Sequence, residues 1–275
     1  MKSYTTRDVA QLLGLSEAQV RSHARVGYLA PDRGPRNAYR FSFQDLVLLR
    51  TAKALNEARV PPRRIHRALR ALTRELPAGR ALSGVRISSE GHRVVVRDGG
   101  AAWNPESGQL LLDFHVGKLA EQAAPVARRL AREARRSEAP LTADQWYDLG
   151  TDVEAAAPDD ARDAYGRAVA LDPRHAAARV NLGRLLQDAG RPAEAADQYR
   201  AALAAQPAHS TAAFNLGTAL EDLGRRAEAI EAYLKVLEAD EEFADAHFNL
   251  ARLYERTGDR AAALRHLRTY KQLTE

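Results

Sequence analysis

The stretch from Val20 to Phe41 gathers cations and aromatic rings around a turn rich in glycine and proline. Its five arginines and its rings alternate along the chain: Arg21, His23, Arg25, Tyr28, Arg33, Arg36, Tyr39, Arg40 and Phe41. Guanidinium groups pair with phosphate oxygens, and they can bind the guanine edge through two parallel hydrogen bonds. These residue types therefore indicate binding to a polyanion, and we expect double-stranded DNA as the ligand.

Two short helices would position the first of these arginines. Thr5 or Thr6 can cap a helix whose apolar stripe is Val9, Leu12 and Leu13, and Gly14 then permits a tight turn. The following SEAQ segment, Ser16 to Gln19, is a capping box that opens a second helix. If Val20 faces the core, the outward residues of that helix include Ser16, Arg21, Ser22 and Arg25. This pattern predicts a helix-turn-helix whose second helix enters the major groove.

A β-hairpin wing is predicted directly after the second helix, in the segment APDRGPRNAYRF. Pro, Gly and Asn supply its turn, so Arg36, Tyr39 and Arg40 would reach phosphates or the minor groove. Two further helices follow. The residues expected to face inward are Leu46, Leu49 and Leu55 in the first, and the apolar residues grouped in the second are Ile65, Leu69 and Leu72. The arginines of that last helix either extend the DNA footprint or form an ordinary solvated face.

Residues 3–75 resemble the MerR family of bacterial winged-helix transcription regulators. The matching features are Val9-Ala10, Gly14-Leu15-Ser16, Val20-Arg21, Gly27, Leu29, Pro31, Tyr39-Arg40, Phe43 and Asp45-Leu46. The resemblance implies that Arg21, His23, Arg25, Tyr39 and Arg40 occupy DNA-contacting positions. Family members usually carry aromatic residues at positions 22 and 23 and an acidic residue at 24, whereas this chain has Ser22, His23 and Ala24. The preferred DNA sequence is therefore expected to differ.

The middle of the chain departs from that family, whose members continue with one long dimerisation helix. Residues 79–114 instead predict a small antiparallel β-meander, with turns at SEGH, DGG and NPESG. Its apolar residues alternate as in half-buried strands: Val85 with Ile87, Val94 with Val96, and Leu110 with Leu112 and Phe114. We interpret this module as a structural spacer, the alternative being a dimer surface or an effector pocket around Trp103. Residues 115–140 predict a connecting helix with a heptad seam of Leu119, Ala123, Val126 and Leu130, interrupted by Pro125. It could be a displaced dimer helix, a linker or a cap, and a homodimer stays open.

The segment from residue 141 to residue 275 repeats itself with a period of 34. Copies beginning at Asn181, Asn215 and Asn249 align, and a shorter copy contains Trp146. Small residues recur with them: Ala161, Ala195, Ala229 and Ala263 in the helices, and Gly190, Gly224 and Gly258 in the turns. The pattern resembles tetratricopeptide repeats, which implies about four helix pairs stacked into a solenoid. The predicted fold is therefore mainly α: a winged helix-turn-helix (residues 1–78), the β-meander, the connecting helix and an α-solenoid of helix pairs (141–275).

The concave face of such a solenoid is the predicted site for a protein or peptide partner. Asn181, Asn215 and Asn249 recur at one position, and a ladder of amides can hold an extended peptide backbone. The other predicted contact residues are Tyr147, Arg184, Phe214, Phe248 and Arg252. Two alternatives stay open: the asparagines simply suit helix packing, or the array serves oligomerisation.

Charge and composition indicate the kinds of partner and argue against several classes of function. Residues 1–76 carry 15 Lys and Arg against 6 Asp and Glu, whereas residues 141–275 carry 16 against 23. This asymmetry favours a polyanion at the front and a different partner at the back. The chain has no cysteine, no phosphate-cradling glycine motif, no paired metal-binding histidines and no nucleophile–base set. We therefore expect no cofactor, no metal, no membrane span and no enzymatic activity. The predicted protein is a cytoplasmic, sequence-specific transcription regulator, with a repeat-based adaptor whose head binds DNA weakly as the alternative.

Overall fold

The computed structural model describes residues 3–57, 62–75, 85–90, 93–98, 101–103, 114–137 and 140–274. The chain divides into two compact units, Met1–Ala164 and Tyr165–Glu275, and each is treated by itself.

The first unit begins with the predicted helix-turn-helix and wing. Its elements in chain order are β1 (Tyr4–Thr5), α1 (Thr6–Leu13), α2 (Glu17–Arg25), β2 (Asp32–Arg33), a 3-10 turn (Pro35–Asn37), β3 (Tyr39–Phe41), α3 (Phe43–Glu57) and α4 (Pro62–Glu75). Thr5 and Ser16 cap α1 and α2 through complete capping boxes, and Gly14 closes α1 in the left-handed region. The short strand β1 was not predicted, and it pairs with β3 in a three-stranded antiparallel sheet of order β1-β3-β2.

The core of this head contains the apolar residues that the sequence pattern selects. Val9, Leu13 and Val20 are buried in α1 and α2, and Leu46, Leu49 and Leu55 are fully buried in α3. Ile65 and Leu69 are buried in α4, whereas the side chain of Leu72 lies outside the described residues. Val20 therefore anchors α2, and the opposite side of that helix faces outward.

A second antiparallel sheet follows, formed by β4 (Val85–Glu90), β5 (Arg93–Asp98), β6 (Ala101–Trp103) and β7 (Phe114–His115). Its order is β6-β5-β4-β7, so the predicted strands around Val85 and Val94 are confirmed as β4 and β5. Strand β6 was not among the predicted strands, and Phe114, predicted for the last one, lies in β7, which pairs with β4. The predicted strand residues Leu110 and Leu112, and the side chain of Trp103, lie outside the described residues.

Helix α5 (Val116–Arg136) contains Pro125 within its length and is buried along a seam that differs from the predicted one. The buried side chains are spaced mainly four apart: Leu119, Ala120, Ala123, Ala127 and Ala131. The predicted heptad residues Val126 and Leu130 are only half-buried. Alanines spaced four apart form a flat ridge that permits close helix packing. An ion pair of 2.7 Å between Arg129 and Asp8 joins α5 to α1, so α5 packs on the head of its own chain.

Two helices of the first repeat follow, α6 (Ala143–Val153) and α7 (Pro158–Leu171). Near the end of α6, a carboxylate oxygen of the buried Asp152 accepts a hydrogen bond of 2.7 Å from the backbone N–H of Ser3. The hydroxyl of Tyr4, which is fully buried, donates to the Asp152 carbonyl oxygen at 3.2 Å. These bonds span about 150 residues of sequence and attach α6 to the strand that begins the head.

The second unit is an array of helix pairs. After the end of α7 come α8 (Ala176–Asp188), α9 (Pro192–Ala205), α10 (Ser210–Asp222), α11 (Arg226–Ala239), α12 (Ala244–Thr257) and α13 (Arg260–Thr274). The predicted turn glycines Gly190, Gly224 and Gly258 all have positive φ, between 73° and 87°. His175 and His209 share a structural role, because Nδ1 of each accepts from a backbone N–H in the first turn of α8 or α10.

Glycine and tyrosine are matched inside two of these pairs. A Cβ placed on Gly183 would lie 2.6 Å from the ring of Tyr199, and one on Gly217 would lie 2.5 Å from the ring of Tyr233. In the last pair the equivalent residues are Ala251 and Leu267. In this last pair alanine replaces the smaller glycine, and leucine replaces the larger tyrosine. The two volume changes offset each other, so the helices can pack closely in all three pairs.

Candidate nucleic-acid interface and repeat surface

Helix α2 presents the predicted arginines to solvent. Arg21, Ser22 and Arg25 are exposed, whereas Val20 on the opposite side is fully buried. Arg21 forms an ion pair with Glu17 one turn earlier, and both side chains are nearly half exposed. Exposed pairs of this kind contribute only about 0–1 kcal/mol. A phosphate or a guanine edge can therefore replace Glu17 as the partner of Arg21 at small cost. Ser16 is also exposed, but its hydroxyl already accepts from the Gln19 N–H.

His23 is held inside the head by a cluster of rings. The hydroxyl of Tyr28 and Nδ1 of His23 are hydrogen-bonded, and the Tyr28 ring contacts both His23 and His66 edge-on, at centroid distances of 6.0 and 5.7 Å. Burial lowers the pKa of His23, and the neighbouring His66 lowers it further. The contacts of Tyr28 with His23 and with His66 therefore link the end of α2 to α4. The DNA-contact role that the family resemblance implies for His23 stays a prediction.

The wing presents a stacked cation. The guanidinium carbon of Arg33 lies 3.7 Å from the ring centroid of Tyr39, and Nη1 of Arg33 donates to the Asn37 carbonyl at 3.0 Å. Asp32 pairs with Arg40 and Arg33 with Tyr39 in the β2–β3 register, which brings these side chains to one hairpin. Sequence reasoning did not include Arg33 among the site residues. Its position opposite an aromatic residue across a short hairpin is the signal that could have found it.

The tip of the wing is formed by two residues in the left-handed region, Arg36 at φ 56° and Asn37 at φ 59°. Arg36 is exposed, so this backbone conformation projects a cation away from the head. Arg40 is half-buried and crosses the wing beside Gly34, where a Cβ would lie 2.8 Å from its Nε. A side chain at position 34 would therefore displace the flexible Arg40 side chain from this path.

The three asparagines of the predicted amide ladder differ in burial and in their hydrogen bonds within the array. Asn181 is buried, and its Nδ2 donates to the Tyr165 hydroxyl at 3.3 Å. Sixteen residues before Asn249, at the same spacing, the Tyr233 hydroxyl donates to Oε1 of Glu221 at 2.9 Å. Asn215 is half-buried, and the equivalent hydroxyl, that of Tyr199, donates instead to Gln187 at 3.3 Å. The bond from Asn181 to Tyr165 favours the helix-packing interpretation for that asparagine, and the peptide-binding role of Asn215 and Asn249 stays a prediction.

The predicted aromatic contacts differ in their accessibility. Phe214 packs inside the array, with ring centroids 5.5 Å from Tyr233 and 5.2 Å from Phe243. The residue is half-buried and fills part of the space between α10, α11 and the start of α12, so its role as a partner contact stays a prediction. Phe248 is 44% exposed and lies 5.2 Å from the Tyr270 ring. Tyr147, in the first unit, is half-buried.

A polar network links successive pairs along one face of the array. Gln187 on α8 donates to Thr218 at 3.3 Å and to Asp222 at 2.6 Å, both on α10. Arg252 on α12 forms a 2.7 Å ion pair with Glu221 on α10. Each link joins residues 31 or 35 apart, so the repeat period sets it. Arg184 pairs with Asp188 at 3.3 Å within α8. The predicted contacts Arg184 and Arg252 thus belong to a charged surface that also includes Glu221 and Asp222.

Comparison with known families agrees with this geometry. The family model described as MerR HTH family regulatory protein matches residues 4–72. The tetratricopeptide repeat model matches three overlapping segments, residues 152–210, 180–242 and 214–274. The chain joins a MerR-family helix-turn-helix domain to tetratricopeptide repeats. The MerR-family match ends within α4, so the β4–β7 sheet and α5 lie outside both matches.

The tetratricopeptide fold is also seen among solved structures. A crystal structure of MamA is 22% identical, with a TM-score of 0.50, and the match covers 57% of this chain and 90% of MamA. A MamA structure from Desulfovibrio magneticus RS-1, residue 41 to the end, is 24% identical with a TM-score of 0.48 and covers 57% of this chain and 86% of that one. At this identity the likeness shows the fold alone. No curated protein matches the chain in sequence.

The tetratricopeptide and MerR-family parts are regulatory and interaction modules. Among the residues that the structure describes, no three or more His, Cys, Asp or Glu side chains gather where they could hold a metal ion. No helix in the described part of the chain is both long and apolar enough to cross a membrane. The chemistry that the described surfaces offer is binding: arginines and a stacked ring on the MerR-family head, and polar and apolar faces on the repeats.

Proposed function

We propose that this chain is a sequence-specific DNA-binding transcription regulator whose tetratricopeptide array binds a protein or peptide partner. The MerR-family match supports a DNA-binding regulator, and the repeats support a protein-interaction region. The observation that carries the proposal is the arrangement of α2 and the wing. Val20 fixes one side of α2 in the core, which leaves Arg21 and Arg25 exposed on the other.

The two exposed arginines are proposed to bind base edges, and the wing is proposed to bind the backbone. Helix α2 is short enough to enter the major groove, where an arginine can bind guanine O6 and N7 together. On the wing, Arg33 stacked on Tyr39, Arg36 at the tip and Arg40 beside Gly34 would contact phosphates. Ser16, Ser22 and His23 are proposed as lesser contacts at the ends and edge of α2.

The experiment is a binding titration with a duplex selected from a random pool. Arg25→Ala should weaken binding to the selected duplex by about 1–3 kcal/mol, roughly 5- to 150-fold, and should relax preference at one base pair. Arg226→Ala removes an exposed arginine of α11 and is the matched control for loss of one positive charge. Equal affinity of the Arg25→Ala and Arg226→Ala variants for the selected duplex would refute the placement of α2.

A repeat-based adaptor whose head binds DNA only weakly is the second candidate. The observation that favours it is the ion pair between Glu17 and Arg21. Because of this pair, one of the two arginines proposed to bind base edges already has a partner within its own helix. Glu17→Gln separates the two functions. In a regulator it should change binding to the selected duplex severalfold, whereas in an adaptor duplex affinity should be weak and insensitive to sequence with either residue.

A further inference from the structure

The last helix of the array, α13, carries an apolar face that the equivalent helices bury. Tyr165, Tyr199 and Tyr233 occupy one repeat position and are each 0% exposed, whereas Leu267 at that position is 37% exposed. Three residues further on, Ala168, Ala202 and Val236 are fully buried and Tyr270 is half-buried. We call the set Phe248, Ala263, Leu264, Leu267 and Tyr270 the end face.

The array itself shows what kind of element covers such a face. In each earlier pair the second helix lies against the first helix of the following pair, as the bond from Asn181 on α8 to Tyr165 on α7 illustrates. Among the described residues of the second unit, no helix follows α13. The rings of Phe248 and Tyr270 contact each other at a tilt, with a centroid distance of 5.2 Å, and border the uncovered surface. Leu264 within that surface is 64% exposed. The shape required of an occupant is therefore one amphipathic helix lying along α13.

The charge of α13 indicates the charge of that helix. Helices α7, α9 and α11 each contain one more acidic than basic residue. In contrast, α13 contains Arg260, Arg265, Arg268 and Lys271 and no acidic residue. Lys271 also stands where Leu203 and Leu237 pack partly buried against the core in the two earlier pairs. A basic rim around an apolar stripe favours an occupant with acidic flanks and disfavours a second copy of α13, which would place like charges together.

We propose that the end face docks an acidic amphipathic helix of a partner protein, laid along α13 as the first helix of a further repeat would be. The inference rests on the proposed protein-binding role of the repeats and not on the DNA-binding head. Apolar side chains of the partner would cover Leu264 and Leu267, and its carboxylates would face Arg268 and Lys271. Phe248 of the end face lies one turn before Arg252 on α12, so the end face adjoins the polar face that carries Gln187, Glu221 and Arg252.

The chain supplies its own probe. A labelled synthetic peptide of residues 210–224 (STAAFNLGTALEDLG) is a first helix of this array that carries two acidic residues and no basic one. A lactam bridge between two of its polar positions would hold it helical. We expect saturable binding to the full-length protein, and weakening of it as salt rises, because the contacts of the exposed cations are screened.

Variants of α13 then test the location. Leu267→Glu should weaken peptide binding by at least about tenfold, since it places a carboxylate in the apolar contact. Leu273→Glu is the matched control: it lies on the same helix, is also 37% exposed, and occupies the position of Ala239, which is exposed in the earlier pair. It should bind within about twofold of the wild type. Leu264→Glu is a second test at a residue exposed enough to tolerate the change, and far-UV circular dichroism checks that α13 still forms.

Several results would overturn the inference. Equal peptide affinity for the wild type and the Leu267→Glu variant would show that the peptide binds elsewhere. Equal losses of affinity in Leu267→Glu and Leu273→Glu would show that the added negative charge, and not the apolar contact, weakens binding. A peptide with Glu221→Lys and Asp222→Lys should bind at least about fivefold more weakly, and undiminished binding would refute the acidic partner. If sedimentation velocity shows a dimer of the wild type and a monomer of the Leu267→Glu variant, the end face binds a second copy of the chain. Loss of duplex DNA affinity in Leu267→Glu would assign it to nucleic acid.

The same variants distinguish failure of this inference from failure of the proposed function. Duplex DNA binding should be unchanged in Leu264→Glu and Leu267→Glu. If the protein binds its selected duplex but not the peptide, the end face is wrong and the regulator stands. If it binds the peptide but no duplex, the docking surface stands and the regulator is wrong.

Discussion

Replacing Asp152 with asparagine should change the pH dependence of stability in the first unit. Burial raises the pKa of the Asp152 carboxyl from its ordinary value of 3.8 to about 7, and the nearby Asp45 carboxylate adds to the rise. The hydrogen bond from Ser3 opposes it but does not cancel it. Asparagine keeps an oxygen that can accept from the Ser3 N–H, and it cannot ionise.

The magnitude follows from the two pKa values. Below about pH 4 the carboxyl is protonated in both the folded and the unfolded chain, so its ionisation has no effect on stability. Between about pH 4 and pH 7 the unfolded chain releases the proton and the folded chain retains it. The folded state then binds more protons, and the free energy of unfolding falls as pH rises. A difference of about three pKa units at about 1.4 kcal/mol each gives a loss of about 4 kcal/mol by pH 7.

Urea unfolding followed through Trp146 measures this effect locally. Trp146 is buried in α6, the helix that carries Asp152, and Trp103→Phe makes it the only tryptophan. A local probe is needed because a chain of two units need not unfold in one step. At pH 4 the aspartate and asparagine proteins should differ by no more than about 1 kcal/mol. At pH 8 the Asp152→Asn protein should be more stable by about 2–4 kcal/mol.

The control is Asp144→Asn, which removes an exposed carboxylate from the first turn of the same helix. It should leave the fall in stability between pH 4 and pH 7 in place. Parallel pH profiles for the wild type and Asp152→Asn would refute the reasoning, because they would mean that the Asp152 carboxyl ionises in the folded protein as it does in the unfolded chain.

The remaining predictions concern the repeats and the wing. Gly217→Ala should destabilise the array by about 1–3 kcal/mol in chemical unfolding, since its methyl group would meet the Tyr233 ring. Adding Tyr233→Leu should recover part of that loss, as a double-mutant cycle would show, and simple additivity would contradict the matching. Asn181→Ala should destabilise the array by about 0.5–1.5 kcal/mol because it removes the hydrogen bond from the buried Asn181 amide to the Tyr165 hydroxyl, and an unchanged unfolding curve would support the peptide-ladder interpretation. Arg40→Ala should weaken DNA binding on all sequences and lower the salt slope by about one, and a loss confined to one sequence would refute its phosphate role.

Sequence reasoning was most successful where the determinants are local or periodic. The SEAQ capping box, the Gly14 turn and the 34-residue period each depend on residues close in sequence or on repetition, and each is confirmed. The alternation of Val85 with Ile87 and of Val94 with Val96 is confirmed in the paired strands β4 and β5. The domain limits and the DNA-contact set stay predictions.

Other features depend on contacts between distant residues, which no local pattern shows. The attachment of α6 to the head through Ser3 and Asp152 joins residues 149 apart, and β1 exists only because β3 returns beside it. Phe214 lies one position before the recurring asparagine, which predicted a contact on the concave face. Its ring also contacts Phe243 at a centroid distance of 5.2 Å, a contact that the repeat spacing does not show. The predicted heptad seam of α5 is confirmed for Leu119 and Ala123, which are buried, and is wrong for Val126 and Leu130, since Ala127 and Ala131 are buried in their place.

The most direct test of the account is selection of the full-length protein against a random duplex DNA pool at near-physiological salt, followed by sequencing. The account predicts enrichment of a defined motif whose information is lost at one position in Arg25→Ala, and an inverted repeat in that motif would indicate a two-fold dimer. A pool that stays flat would contradict a sequence-specific regulator, and the repeat array would then be the functional part of the protein.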